Sequence, residues 1–345
     1  MIPKNIIIND LPAEDESTDF SRFIEDGGEI DNELNDFVDG NVAQGFTLGI
    51  SCFDEYYVAK KFEFYGIVGK KGRGKTTINQ AIQVAHSVAN DLIWVVAFQE
   101  NSSWSMKLNY MNYLLCDFAK DVKKNDPDLY QRAMDWLDKH FIFLKVETIK
   151  EALETTQYLI EEKEIDVHAV FLDPINSFDS GYYNSGNSYQ DMVDTSKKIL
   201  RHSKEICSVH VSQHPTMSGQ RQEEDVNSFQ AEGGAILNKA SFTYAINRDS
   251  GSFVNRISID NVRNRHTGGN ETPHDNPVTL YWSPTEICLG NLAEGVKERN
   301  IVEQLKSFHN PLNEQRYNVK EDSFEKEPYS IPVVDAKDAF DDAPF

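Results

Sequence analysis

One short segment constrains the fold of this chain more than any other feature. Residues 69–76 read GKKGRGKT and match the pattern GxxxxGK(S/T) at every fixed position. The apolar run FEFYGIVG (62–69) precedes the segment, and residues 75–90 have a helical pattern. A strand, a glycine-rich turn and a helix in this order form a phosphate-binding loop, because backbone N–H groups of the turn and the helix N-terminus then point at phosphate oxygens.

This loop predicts a nucleoside triphosphate as the ligand. Lys75 would neutralise the β- and γ-phosphates, and the hydroxyl of Thr76 would bind Mg²⁺. ATP, or another NTP or dNTP, is therefore the predicted nucleotide, together with Mg²⁺. The residues that we expect to contact it are Gly69, Lys70, Lys71, Gly72, Arg73, Gly74, Lys75, Thr76 and Thr77.

Two acidic residues at predicted strand ends extend this site. Asp173 closes the buried run HAVFLD (168–173), and the carboxyl end of a parallel strand faces the crevice where ligands bind. We therefore expect Asp173 to hold Mg²⁺ through water. Glu100 follows the run LIWVVAF (92–98). A carboxylate at this point can polarise a water molecule for attack on the γ-phosphate, so Glu100 is the predicted catalytic base.

Apolar runs of strand length alternate with helical patterns through the middle of the chain. This alternation predicts parallel βαβ units, and the closely spaced strands after residue 240 predict antiparallel additions at one edge. Residues 103–140 are predicted to form two helices, broken near Asp126-Pro127. The predicted fold class is α/β, with a mainly parallel twisted sheet flanked by helices. The predicted domains are an acidic arm (1–44), an ATPase domain (45–295) and an acidic tail (296–345).

Charge and cysteine usage exclude several classes of protein. The net charge is −22, and residues 1–40 alone hold 12 acidic and two basic side chains. The negative charge therefore argues against an all-over basic nucleic-acid binder but does not exclude a local binding channel. No run of about 18 apolar residues is present, so we expect no membrane helix. The four cysteines lie far apart, which argues against a disulfide framework and favours a cytoplasmic setting.

The order of these elements resembles the RecA-like core, and more closely the DnaB-like hexameric replicative helicases, including phage primase-helicases and Twinkle. The resemblance covers roughly residues 45–290 and includes no primase domain. The segments that carry it are GFTLGISCFDEYY (45–57), AFQEN (97–101), MVDTSKKILRHSKEI (192–206), SVHVSQHP (208–215), FQAEGGAILNKASFTYAINRD (229–249) and ISIDNVRNRHTGG (257–269).

The resemblance implies roles for residues outside the phosphate loop. Arg265 falls at the position of the arginine finger, which reaches the nucleotide of a neighbouring subunit. Arg263 falls where the family usually has lysine, so the charge is kept but the donor geometry changes. Gln213 falls at the γ-phosphate sensor in one alignment and His214 in another. Gln213 is preferred, because Ser212-Gln213 fits the DnaB-like pattern.

The resemblance further implies an NTP-hydrolysing helicase that forms a ring, expected to be a hexamer, and translocates on single-stranded DNA. Two polar loops, 176–188 and 216–233, would face the DNA, although Arg221 is their one basic side chain. The C-terminus, DDAPF, is similar to the tails of bacterial single-stranded DNA-binding proteins, so Phe345 could dock on a replisome partner. The minimal build fits a phage-encoded protein.

Three other functions remain open from the sequence. A RecA-like recombinase or a helicase-loader ATPase would form filaments on single-stranded DNA with the same nucleotide site. A small-molecule phosphotransferase would need an acceptor pocket, and its hydrolysis would not respond to DNA. A non-catalytic replisome scaffold would use the acidic ends of the chain and turn over no nucleotide.

Overall fold

In the computed structural model, the chain divides into two compact units, which are described separately. It covers residues 27–39, 45–48, 51–182, 188–214, 238–248, 254–260, 262, 269–273, 277–283 and 288–291. One unit is Met1–Gln44, within which helix α1 spans Gly27–Val38, and the other is Gly45–Phe345. The predicted tail, 296–345, lies outside the described residues, and the predicted domain boundaries stay predictions.

The second unit alternates strands and helices along the chain. Its strands are β1 (Phe64–Val68), β2 (Ile93–Phe98), β3 (Phe141–Leu144), β4 (Val167–Asp173), β5 (Ser208–Gln213), β6 (Phe242–Asn247), β7 (Val254–Asp260), β8 (Val278–Ser283) and β9 (Cys288–Asn291). Its helices are α2 (Ser51–Asp54), α3 (Lys75–Asn90), α4 (Ser103–Leu115), α5 (Ala119–Asn125), α6 (Pro127–His140), α7 (Ile149–Glu161) and α8 (Ser188–Glu205). A 3₁₀ turn, Ile175–Ser177, follows β4.

The described strands form one nine-stranded sheet in the order β3-β2-β4-β5-β1-β6-β7-β8-β9. Neighbours from β3 to β6 are parallel, whereas β7, β8 and β9 are each antiparallel to the strand before them. Every residue of β1, β4 and β5 is buried, as expected when helices cover both faces of a parallel sheet. The predicted mainly parallel sheet with antiparallel strands at one edge is confirmed.

The strand order places the glycine-rich loop at a reversal of the sheet. The chain leaves β1 through α3 and enters β2 on one side, beyond β5 and β4, whereas β6 lies on the other side of β1. In open α/β sheets, ligands bind outside the carboxyl ends of the strands at such a reversal. The ends of β1, β2, β4 and β5 therefore meet at the edge where the predicted site residues are expected.

Residues 103–140 fold as three helices, and the prediction of two was wrong. The predicted break is present, because the Asp126 side chain accepts a hydrogen bond from Leu129 N at 2.9 Å and caps α6. The additional break lies at Cys116, whose backbone is left-handed with φ of 51° and ends α4. Cysteine has no particular preference for this conformation, so the residue type did not signal the break.

Three buried histidines lie in the core between α3 and the sheet. His86, His168 and His210 are each at most 2% exposed. They surround Trp94, with ring centroids 6.2, 5.3 and 4.9 Å from the indole. Burial lowers the pKa of His168 to about 4, and burial with the neighbouring histidines lowers the pKa of His86 and His210 well below the usual value. All three are therefore neutral in the folded chain.

We expect the free energy of unfolding to fall as the pH drops from 6.5 toward about 4. The unfolded chain takes up protons on these histidines near their ordinary pKa, whereas the folded chain does not, so acid favours the unfolded state. Urea titrations at neutral pH and near pH 5 measure this slope. The variant His210→Phe keeps an aromatic ring stacked near Tyr65 and should weaken the pH dependence; an equally steep slope would contradict the assignment.

Candidate nucleotide site

The glycine-rich loop joins β1 to α3 and leaves the start of the helix open to a ligand. Gly72 and Gly74 adopt left-handed backbone conformations, with φ of 74° and 89°. At Gly69, an added Cβ would lie 2.7 Å from the carbonyl oxygen of Ile246 in β6. No side-chain hydrogen bond caps the N-terminus of α3 at Gly74. The first N–H groups of the helix are therefore suited to an anion.

Thr76 and Asp173 meet at the end of β4, although 97 positions separate them in the chain. The Thr76 hydroxyl donates to Asp173 Oδ2 at 2.8 Å, and the Ser212 hydroxyl donates to Oδ1 of the same carboxylate. Burial raises the pKa of Asp173, while the hydrogen bonds from Ser212 and Thr76 oppose that rise. A buried carboxylate beside a hydroxyl supplies the hard oxygen ligands that Mg²⁺ prefers, so these residues fit the predicted metal.

His214 lies between the phosphate-loop lysine and the predicted base. Lys75 Nζ is 2.8 Å from His214 Nδ1, and His214 Nε2 is 3.5 Å from Glu100 Oε1. Because an ammonium can only donate, we assign Nδ1 as the acceptor and place the imidazole proton on Nε2, facing Glu100. Burial and then the charge of Lys75 lower the pKa of His214, which favours this neutral ring.

Gln213 occupies a different environment from His214. It is the last residue of β5, is 2% exposed, and its Oε1 has no hydrogen-bond partner among the described residues. Successive side chains of a strand point to opposite faces, so Gln213 lies on the face opposite to that on which Ser212 contacts Asp173, whereas His214, just after the strand, contacts Lys75. The face that Ser212 occupies was not evident from the sequence, so the choice between Gln213 and His214 as the phosphate sensor stays a prediction.

The remaining predicted residues divide into described and undescribed ones. Lys71 is exposed, and Lys70, Arg73, Thr76 and Thr77 are half-buried around the loop. Arg263, Arg265 and the loop 216–233 lie outside the described residues, as do residues 183–187 of the loop 176–188. Their predicted roles stay predictions.

Three further side chains lie at or next to the site, and the contacts that they make there were not predicted from the sequence. Arg248, just after β6, donates from its guanidinium to Gly72 O at 3.2 Å. Asn176 Oδ1 accepts from His214 N at 3.1 Å. Gln99 Nε2 donates to Val146 O at 2.6 Å, next to Glu100 in the chain. Each of these contacts joins segments that are distant in the sequence, so no local sequence pattern predicts it.

Lys75 should make nucleotide affinity depend on pH. Burial lowers the pKa of Lys75 to about 8, and the charges of Asp173 and Glu100 only partly offset this. As the pH rises through 8, the empty site loses its ammonium, so we expect affinity for a nucleoside triphosphate to fall. Calorimetry above that pH, in buffers of different ionisation enthalpy, should detect proton uptake on binding. Lys75→Arg stays protonated and should show no uptake; equal uptake would contradict the assignment.

The fold of this chain is similar to that of two solved helicase structures. The ATPase domain of G40P matches with a TM-score of 0.64 and 14% identity, covering 78% of this chain and 100% of that one. A DnaB-like replicative helicase, solved in a study of its interactions with primase, matches with a TM-score of 0.60 and 14% identity, covering 78% of this chain and 68% of that one. The chain has a DnaB-like, RecA-type ATPase fold. This confirms the predicted fold.

Sequence comparisons add nothing to this fold match. No protein-family model matches the chain, and no curated protein matches it either. Within the described residues, none of the helices is long and apolar enough to span a membrane. The same residues contain no group of three or more His, Cys, Asp or Glu side chains that could hold a metal ion.

Proposed function

We propose that this chain is an NTP-hydrolysing replicative DNA helicase that works as a hexameric ring, translocates on single-stranded DNA and unwinds the duplex. One observation carries the proposal. The open phosphate loop, the Thr76–Asp173 contact and the Lys75–His214–Glu100 contacts converge at one sheet edge of a DnaB-like fold. A phosphate cradle, a metal-binding pair and a carboxylate base are the parts that phosphoryl transfer to water requires.

The proposed chemistry assigns one task to each side chain. Lys75 and the N–H groups of the loop bind the β- and γ-phosphate oxygens. Thr76 and Asp173 hold Mg²⁺, which neutralises charge on the phosphates when bound. Glu100, whose side chain is 40% exposed, orients the attacking water and accepts its proton.

His214 is the γ-phosphate sensor in this proposal, in place of Gln213. Its contact with Lys75 and its approach to Glu100 support the assignment, because one imidazole then touches both the phosphate-binding and the water-activating side chains. Arg265, with Arg263 beside it, completes the site from the neighbouring subunit. Hydrolysis at that seam would shift the subunits against each other.

The proposed DNA contacts come from the loops 176–188 and 216–233. In the described part of the first loop, the ring of Tyr182 lies 6.0 Å from the ammonium of Lys198 on α8. An aromatic ring beside a cation suits a single-stranded backbone with stacked bases. This pair supplies a positive charge that the loop itself lacks.

We also propose that the tail ending in Phe345 binds a replisome partner. The proposed setting is the cytoplasm, and the proposed origin is a phage.

NTP hydrolysis with and without single-stranded DNA, together with native mass, tests the proposed function. We expect DNA to stimulate hydrolysis and the native mass to correspond to six subunits. The control variant Lys75→Ala should lose hydrolysis both with and without DNA but should still assemble. Hydrolysis that ignores DNA would favour a phosphotransferase, and absent turnover would favour a scaffold. Open filaments on DNA in electron micrographs would instead support the recombinase or loader alternative.

A further inference from the structure

The backbone of His214 is held by a side chain rather than by the sheet. Pairing of β5 with β1 ends at Gln213, which lies opposite Val68. His214 is therefore the first residue beyond the strand ladder. Its backbone N–H donates to Asn176 Oδ1 at 3.1 Å. This hydrogen bond fixes the point from which the imidazole extends to Lys75, 2.8 Å from its Nδ1.

Asn176 is itself held in place by the turn after β4. It is the middle residue of the 3₁₀ turn, in which Ser177 N donates to Pro174 O at 3.1 Å and Phe178 N donates to Ile175 O at 3.2 Å. Ile175, which begins the turn, and Phe178, which follows it, are buried in the core. The Asn176 side chain is exposed, so it contributes little to the core while its backbone is fixed.

The next residues of the chain anchor this turn from the other side. Ile149 N donates to Asp179 O at 2.8 Å, and Lys150 N donates to Ser180 O at 3.2 Å, which ties the segment to the start of α7. Asn176 thus projects from a backbone that is fixed before and after it. Such a residue can hold a neighbouring segment without moving itself.

We propose that Asn176 is a positioning residue for NTP hydrolysis, which acts by holding His214 between Lys75 and Glu100. The inference rests on the proposed nucleotide site but assigns a residue that lies in neither the phosphate loop nor the acidic pair. Without the amide oxygen, the backbone at His214 rotates and the imidazole leaves its place. A displacement of about 1 Å at a reacting group can cost about a hundredfold in rate, and loss of one hydrogen bond shifts a local population by about fivefold. We expect a decrease in kcat between these values.

Asn176→Leu and Asn176→Asp form the matched pair for the test. Leucine has a similar size and no acceptor, whereas aspartate keeps an oxygen for the N–H of His214. In the full chain with DNA, Asn176→Leu should lower kcat about tenfold with KM and melting temperature unchanged, and Asn176→Asp should restore most of the rate. Asn125→Leu, the same substitution at an exposed asparagine at the end of α5, should behave like the wild type.

Two outcomes would overturn the positioning role: wild-type kcat in Asn176→Leu, or equal loss in the leucine and aspartate variants. A readout that needs no hydrolysis separates this from failure of the proposed function. Imidazole ¹⁵N resonances of His214, identified with a His214→Asn variant, should shift in Asn176→Leu and not in Asn176→Asp. An inactive wild type would end the proposed function, while unchanged resonances in Asn176→Leu would end the positioning role.

Discussion

Replacing Arg265 by alanine is expected to lower the rate of NTP hydrolysis by about 10³- to 10⁵-fold, the range for arginine fingers supplied in trans. Nucleotide affinity should stay close to that of the wild type, because each subunit binds the phosphates through its own loop. Arg265 lies outside the described residues, so its role rests on its position in ISIDNVRNRHTGG (257–269). Steady-state hydrolysis with DNA, and equilibrium binding of a nucleotide analogue, measure the two quantities separately.

Mixing two inactive variants tests whether the site is shared between subunits. In a ring that contains both Arg265→Ala and Lys75→Ala subunits, some seams combine an intact loop with an intact arginine. We expect hydrolysis to reappear in the mixture at a fraction of the wild-type rate. Arg263→Lys introduces the residue type that is usual at this position in the resembling family. It serves as a conservative control and should hydrolyse nucleotide at close to the wild-type rate. If the mixture stays inactive although mixed rings form, or if Arg265→Ala alone hydrolyses normally, the intersubunit site is wrong.

Glu100→Gln is expected to lower the hydrolysis rate by about 10²- to 10⁴-fold, the usual contribution of a general base. The amide keeps the size of the side chain but cannot accept the proton of the attacking water. Binding of nucleotide and DNA should persist, because Lys75, Thr76 and Asp173 are unchanged. Single-turnover hydrolysis measures the chemical step directly.

Glu147→Gln is the matched control for Glu100→Gln. Glu147 is an exposed acid next to Val146, whose carbonyl accepts the hydrogen bond from Gln99, so both substitutions remove one negative charge in the same region. Of these two acids, Glu100 is the one that approaches His214, with 3.5 Å between its Oε1 and His214 Nε2. Equal losses in the two variants would show a general electrostatic effect and would remove Glu100 from the role of base.

The parts of the site that follow from local pattern and strand order were accessible from the sequence. The loop is contiguous, and the meeting of Thr76 with Asp173 follows once β1 and β4 are known to be parallel and to end at one edge. Contacts made by side-chain direction were less accessible. The choice between Gln213 and His214 depends on which face of β5 each residue occupies, and only the partner of Ser212 reveals that.

Contacts between distant segments were not accessible at all. Arg248 reaches Gly72 because β6 lies beside β1, and no spacing in the sequence encodes that neighbour. The parallel core and its antiparallel edge were predicted correctly because both follow from the lengths of the connections. The break at Cys116 was missed because the side chain there has no bearing on the backbone conformation that ends α4.

The close contact at Gly69 connects the nucleotide-binding loop of a subunit with the strands that lead to its arginines. The loop lies against the backbone of β6, because a Cβ added at Gly69 would lie only 2.7 Å from the carbonyl oxygen of Ile246. Strand β6 in turn pairs with β7, which runs to Asp260, a few residues before Arg263 and Arg265. Under the proposed function, β7, the strand that leads to the arginines, is thus linked through β6 to the loop that binds this subunit's own nucleotide. Binding of a nucleotide in one subunit would then move the arginines that serve the neighbouring subunit. The sites around the ring could in this way hydrolyse nucleotide one after another.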